Sequence, residues 1–128
     1  MGFSKGAIAA VYSSNERFRK VYAPVNGARF AAHIGLYTNC NATYHDDDKV
    51  TGAPIRLFHG TADDWTAIGP CRAYVERLKK SGVDATLTEY PGARHGFDSF
   101  FLGTEPKVYA EATTTRNCQL EEAEHGLL

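Results

Sequence analysis

Short hydrophobic runs in the middle of the chain predict β-strands. Residues 30–37 form an almost unbroken apolar run bounded by turn residues, a pattern typical of a strand buried on both faces. Residues 54–59, which stop at Gly60, are a second candidate of the same kind. Residues 85–90 alternate between apolar and polar side chains and end at Pro91-Gly92, which indicates a third strand.

Two other segments predict helices. Residues 67–81 repeat hydrophobic side chains at helical spacing, and these side chains share one face: Ile68, Cys71, Tyr74, Val75 and Leu78. Gly82 is a suitable residue to follow the end of this helix. Residues 4–14 are rich in alanine and predict a short helix, whereas residues 15–29 indicate a loop or a short helix.

The alternation of strands and helices favours an α/β fold with a mostly parallel sheet and flanking helices. We expect residues 1–102 to form this unit, with a turn of helix within 97–102. Residues 103–128 are polar and weakly patterned, so we expect a weakly structured C-terminal extension.

Length and charge narrow the class of protein. The 128 residues suit one domain, and 14 basic against 15 acidic residues give a net charge of −1. We therefore expect neither a nucleic-acid nor a membrane partner, and no apolar run approaches the roughly 20 residues that cross a bilayer. The first residues do not form a convincing signal peptide. We therefore leave the compartment open, with the cytoplasm as the default.

The cysteines give no framework for a metal or a disulfide network. Cys40, Cys71 and Cys118 are an odd number, lie far apart and form no CxxC pair. We expect separate thiols in or near the core. One disulfide with one thiol left over remains the alternative for an exported protein.

The first chemical motif is Gly2-Phe3-Ser4-Lys5-Gly6, which matches G-x-S-x-G. In this motif a serine sits on a strained turn between a strand and a helix, and the flanking glycines allow close backbone approach. The N-terminus of the following helix stabilises negative charge that develops at the serine. Ser4 is therefore a candidate nucleophile, and a glycine-flanked surface turn is the alternative.

A serine nucleophile needs a histidine base and a carboxylate, which follow it along the chain in this order. Asp63 follows the second predicted strand and His95 follows the third, so both lie where ligands bind in open α/β sheets. Asp64 is the competitor for the acid, and both aspartates could instead cap the next helix.

The remaining histidines have structural interpretations. We expect His33 to be a satisfied core histidine and His59 to support the acid loop. His45, beside Asp46, is more consistent with a solvated loop than with a metal site. His125 lies in the C-terminal extension.

Four stretches together resemble the dienelactone hydrolase family of α/β-hydrolases: GFSKGA at 2–7, APIRLFHGTADDW at 53–65, PCRAYVERLKKSG at 70–82 and EYPGARHGFD at 89–98. The resemblance extends to TTRNCQLEE at 114–122. It implies Ser4 as nucleophile, Asp63 as acid, His95 as base and the backbone N–H of Lys5 as an oxyanion donor, with no cofactor and no metal. It also implies a small-molecule ester or lactone substrate.

Two substitutions separate the chain from this family pattern. The archetypal members carry a cysteine nucleophile where Ser4 stands, which favours a general carboxylic-ester hydrolase over a dienelactone hydrolase. Thr66-Ala67 replaces the Val-Pro of many relatives, and we expect this change to leave Asp63 in place. Other chemistries of the superfamily, such as peptidase or thioesterase activity, stay open because the triad is common to all.

The family pattern also predicts that this chain is the C-terminal half of an α/β-hydrolase fold, with the N-terminal half missing. The second oxyanion donor would then come from the missing half, and a sheet cut at its middle would expose an edge that favours self-association. A truncated, inactive fragment, or one that needs a partner chain, is therefore the alternative to an active esterase.

Overall fold

The computed structural model describes residues 1–22, 24–99 and 110–124. Along the chain they form β1 (Gly2–Phe3), α1 (Lys5–Tyr12), α2 (Glu16–Tyr22), β2 (His33–Leu36), β3 (Ala42–Thr43), β4 (Ile55–Gly60), α3 (Ile68–Lys80), β5 (Ala85–Tyr90) and β6 (Leu120–Glu121). The turn of helix predicted at 97–102 falls partly on residues outside these ranges.

The main sheet is parallel throughout, as the alternation of strands and helices predicts. Its order is β1-β2-β4-β5, and the register runs from Ile55 opposite Ala85 to Gly60 opposite Tyr90. The three predicted strands are all present. The two-residue strand β1 adds a fourth by pairing with β2, and it is too short to be recognised by periodicity.

Helices α1 and α3 pack on the same face of this sheet. A β-carbon on Gly35 of β2 would meet Val11 of α1 and Leu57 of β4, and Leu57 shares one core cluster with the apolar face of α3. The rings of Tyr12 and Tyr74 join the two helices at 5.5 Å between centroids.

Burial of the central strands differs from the prediction. Residues of β2 and β4 alternate between buried and half-buried positions, whereas the apolar runs predicted burial on both faces. The physical reason is that α1 and α3 cover one face, so the side chains on the other face, such as Arg56 and Phe58, are only partly covered within the described part of the chain.

A second, two-stranded sheet pairs β3 with β6. The polar pattern of the C-terminal segment predicted no element there, because each strand has only two residues and the pairing is long-range. Glu122 anchors the segment, since its buried carboxylate accepts a hydrogen bond of 2.7 Å from the guanidinium of Arg17 and one of 2.8 Å from the backbone N–H of His45.

Cys40 and Cys71 form a disulfide bond, so the expectation of separate thiols is wrong for this pair. The loop after β2 brings Cys40 next to α3, and the Cα atoms lie 4.9 Å apart, within the range of disulfides. Cys118 is free and exposed. Among the described residues no helix is long and apolar enough to cross a membrane.

Candidate active site

Ser4 occupies a strained turn between β1 and α1. Its backbone has φ 50° and ψ −119°, a conformation that L-residues rarely adopt. A β-carbon on Gly2 would lie 2.1 Å from the carbonyl oxygen of Gly6, whereas one on Gly6 would meet nothing within 4 Å. Close approach therefore requires glycine only at the first of the two flanking positions that the motif predicted.

The acid loop follows β4 and wraps around the carboxylate of Asp63. Its Oδ1 accepts hydrogen bonds from the backbone N–H groups of Trp65 and Thr66, each at 2.9 Å. The hydroxyl of Thr66 donates to Oδ2, also at 2.9 Å. Thr66, which replaces the valine of many relatives, thus adds a hydroxyl bond to the carboxylate of Asp63.

The base loop follows β5 and is bonded directly to the acid loop. The N–H of Ala62 donates to the carbonyl oxygen of Ala93 at 3.1 Å, and the N–H of Gly92 donates to the hydroxyl of Thr61 at 2.9 Å. A β-carbon on Gly60 would lie 2.1 Å from that same carbonyl oxygen. Gly60 therefore lets the two loops approach closely enough for their side chains to meet.

The structure brings the three predicted side chains into one hydrogen-bonded chain. Nε2 of His95 lies 2.8 Å from Oγ of Ser4, and Nδ1 of His95 lies 2.9 Å from Oδ2 of Asp63. Asp64 instead faces Arg94, with an N–O distance of 3.4 Å. Geometry thus favours Asp63 over its neighbour as the partner of the histidine.

The environment of Asp63 favours its ionised form. Burial of the carboxylate opposes ionisation, but the hydrogen bonds from two histidines and from the amide of Thr66 outweigh it and hold the pKa of Asp63 well below its usual range. The side chain of Asp63 is fully buried, whereas that of His95 is 12% exposed, so of these two groups only the imidazole reaches solvent.

Two aromatic side chains that sequence reasoning missed enclose the imidazole of His95. The ring of Trp65 stacks on it at 5.1 Å and 15°, and the ring of Tyr37 meets it edge-on at 4.7 Å. Tyr37 follows β2 with φ 41°, and burial together with a hydrogen bond to Asp98 raises its pKa. In the sequence, Tyr37 stands at the end of a predicted strand and Trp65 stands two residues after the predicted acid. These positions are the signal by which the two residues could have been found.

Among the other histidines within the described residues, only His59 contacts one of these three side chains. His33 is buried on β2 and its Nδ1 lies 3.0 Å from the carbonyl oxygen of Ala10, as expected of a satisfied core histidine. His59 contacts the same carboxylate oxygen of Asp63 as His95 does, with Nε2 3.2 Å from Oδ2. His45 faces the C-terminal segment, His125 lies outside the described residues, and no group of three potential metal ligands occurs within the described part of the chain.

A separate cavity of about 550 Å³ lies beside α1 and α2. Tyr12, Phe18, Tyr22, Phe30 and His33 are among its lining residues, and Ser4, Asp63 and His95 are not. The hydrogen-bonded chain described above therefore does not open into this cavity.

Known structures share this arrangement of strands. The apo form of Thermogutta terrifontis esterase 2 superposes with a TM-score of 0.62 and 22% identity over 80% of this chain and 47% of that chain. Its propionate-bound form gives 0.59 and 22% over the same shares. MGS-M1, an α/β hydrolase enzyme from a Medee basin deep-sea metagenome library, gives 0.55 and 20% over 75% of this chain and 38% of that chain.

These likenesses show that the chain has part of an α/β-hydrolase fold. The chain spans about half the length of the esterase structures it matches, and none of the curated proteins matches it significantly. The sequence profile of the dienelactone hydrolase family, however, matches residues 3–120, nearly the whole chain. The chain therefore belongs to the dienelactone hydrolase family.

Proposed function

We propose that this chain carries the catalytic triad of a serine carboxylic-ester hydrolase, with Ser4 as nucleophile, His95 as base and Asp63 as acid. The observation that supports it most is the continuous contact from Oγ of Ser4 through the imidazole to Oδ2 of Asp63. All three side chains lie just beyond the carboxyl ends of parallel strands, where such sheets bind ligands. The family and its esterase neighbours agree with this chemistry.

The proposed reaction has two halves. Oγ of Ser4 attacks the ester carbonyl while Nε2 of His95 takes the hydroxyl proton, and the imidazolium then returns that proton to the departing alcohol. Water attacks the acyl-enzyme in the same way and releases the acid. Asp63 holds the tautomer of the imidazole and stabilises its charge, and the amide of Lys5, the first residue of α1, donates to the oxyanion.

The test is labelling of the 128-residue chain by a fluorophosphonate probe, together with a product burst from p-nitrophenyl acetate. We expect Ser4→Ala to abolish both. Ser13→Ala is the matched control, because Oγ of Ser13 also lies near a histidine nitrogen, at 3.1 Å from His33, yet that imidazole bonds to a carbonyl oxygen rather than to a carboxylate. Equal labelling of the parent and Ser4→Ala would contradict the proposal.

A second candidate function is an inactive chain, or one that needs a partner. The observation behind it is that the chain spans 47% of the esterase structure it matches with a TM-score of 0.62. The family pattern places the second oxyanion donor in the part of the fold that this chain does not span. Loss of one such donor lowers the rate about 100- to 1000-fold. A folded monomer that labels at Ser4 would dismiss this candidate.

A further inference from the structure

His59 is a buried histidine that the proposed reaction does not use. It is fully buried in β4, one residue before the strand ends. Its Nε2 lies 2.8 Å from the carbonyl oxygen of Thr66 and 3.2 Å from Oδ2 of Asp63. Its Nδ1 has no hydrogen-bond partner among the described residues.

These contacts indicate which ring nitrogen of His59 carries a hydrogen. Both neighbours of Nε2 are acceptors, so Nε2 carries a hydrogen. A second hydrogen on Nδ1 would place a positive charge and an unpaired donor in the core, which is costly. His59 is therefore a neutral donor whose single N–H bonds to the carbonyl oxygen of Thr66 at 2.8 Å, with the carboxylate of Asp63 as a second, more distant acceptor at 3.2 Å.

We propose that His59 is a positioning residue, whose Nε2–H ties Oδ2 of Asp63 to the backbone of the acid loop and so aligns that oxygen with Nδ1 of His95. This inference rests on the proposed function. Oδ1 is held by two backbone N–H groups, so the orientation of the carboxylate depends on what holds Oδ2. On that oxygen the hydroxyl of Thr66 donates at 2.9 Å from the acid loop itself, and the fully buried His59 adds a contact at 3.2 Å from the core.

Three variants of the full chain test this role. His59→Leu removes the donor at similar bulk, and His59→Gln restores an N–H at the position of Nε2. His33→Leu is the matched control, because His33 is a second buried histidine, 2% exposed on the neighbouring strand, without contact to the proposed triad. Each variant is assayed for the rate of fluorophosphonate labelling and for kcat and KM on p-nitrophenyl acetate, normalised to the sites that label.

We expect His59→Leu to lower kcat by about 10- to 100-fold with little change in KM, since small misplacement of a catalytic group has effects of this size. His59→Gln should recover most of that loss, and His33→Leu should keep the parental kcat per labelled site. A parental kcat in His59→Leu, or a His59→Gln variant as slow as His59→Leu, would overturn the inference.

A spectroscopic readout separates this inference from the proposed function. The hydrogen-bonded Nδ1–H of His95 should give a low-field proton resonance in the parent, in His59→Gln and in His33→Leu, and lose it in His59→Leu. The ¹⁵N shifts of His59 should show the neutral Nε2–H tautomer. If the parent does not label at Ser4, the proposed function fails while these spectra still decide on His59; a charged or Nδ1–H His59 would overturn the inference.

Discussion

At the scale of single residues, the two glycines that flank Ser4 have different roles. Gly2 faces the backbone of Gly6 so closely that a β-carbon would lie 2.1 Å from its carbonyl oxygen, whereas Gly6 itself has open space around it. The motif treats the two positions as equivalent. The contact that distinguishes them exists only once β1 and α1 are folded against each other.

This asymmetry predicts opposite effects of the same substitution. Gly2→Ala must push β1 away from the start of α1 at the turn that carries Ser4. We expect it to lower the free energy of unfolding by about 1–3 kcal/mol, the usual cost of overpacking, and to slow labelling of Ser4. Gly6→Ala replaces a glycine near the start of α1, and we expect it to raise the free energy of unfolding by up to about 1 kcal/mol. Urea denaturation measures both, and equal loss of stability in the two variants would contradict the assignment.

Asp63 predicts a dependence of stability on pH. Its hydrogen bonds hold its pKa below the ordinary value, which is about 4 in the unfolded chain. Its contribution to stability is thus fully present above about pH 5 and is lost as the pH falls through the pKa of the folded state. We expect Asp63→Asn to cost about 1–3 kcal/mol near neutral pH and the difference from the parent to shrink on acidification. Urea denaturation of both proteins along a pH series measures this, and a constant difference would contradict it.

At the scale of elements, the sequence predicts what depends on local periodicity and misses what depends on long-range contact. α3 and β5 lie where apolar spacing places them. The pairing of β3 with β6 joins segments far apart in the sequence, and no local pattern in either segment predicts it. The same holds at the site, where chain order locates Asp63 and His95 but cannot show that Trp65 stacks on the imidazole.

The disulfide between Cys40 and Cys71 is such a long-range contact, and it joins the loop after β2 to α3. The two cysteines are 31 residues apart, and closing a loop of this length in the unfolded chain corresponds to about 3–4 kcal/mol in the chain-entropy account. We expect reduction by dithiothreitol to lower the free energy of unfolding by an amount up to this value.

The matched variants for the disulfide are Cys40→Ala/Cys71→Ala and Cys118→Ser. The double variant should be insensitive to dithiothreitol, and Cys118→Ser should respond as the parent does, because Cys118 is free and exposed. Urea denaturation with and without reductant measures the effect. A parent that is as stable reduced as oxidised would contradict the contribution of the disulfide.

At the scale of the whole molecule, large exposed apolar side chains concentrate in two places. One is the edge strand β1, where Phe3 is 44% exposed, and the other is the segment around α2, where Tyr22 is 81% exposed. Within the described residues β1 pairs only with β2, so its other edge presents unpaired backbone groups. Such edges are templates for pairing with another chain.

We therefore expect the chain to self-associate through β1 rather than through the surface around α2. Phe3→Lys places a charge on the edge strand, and charges on edges oppose such pairing, so this variant should shift sedimentation velocity profiles toward the monomer at concentrations where the parent associates. Tyr22→Lys adds the same charge at a more exposed aromatic residue and serves as the control. If Tyr22→Lys yields the monomer and Phe3→Lys does not, association runs through the apolar surface beside the 550 Å³ cavity, and the sheet edge is not the interface.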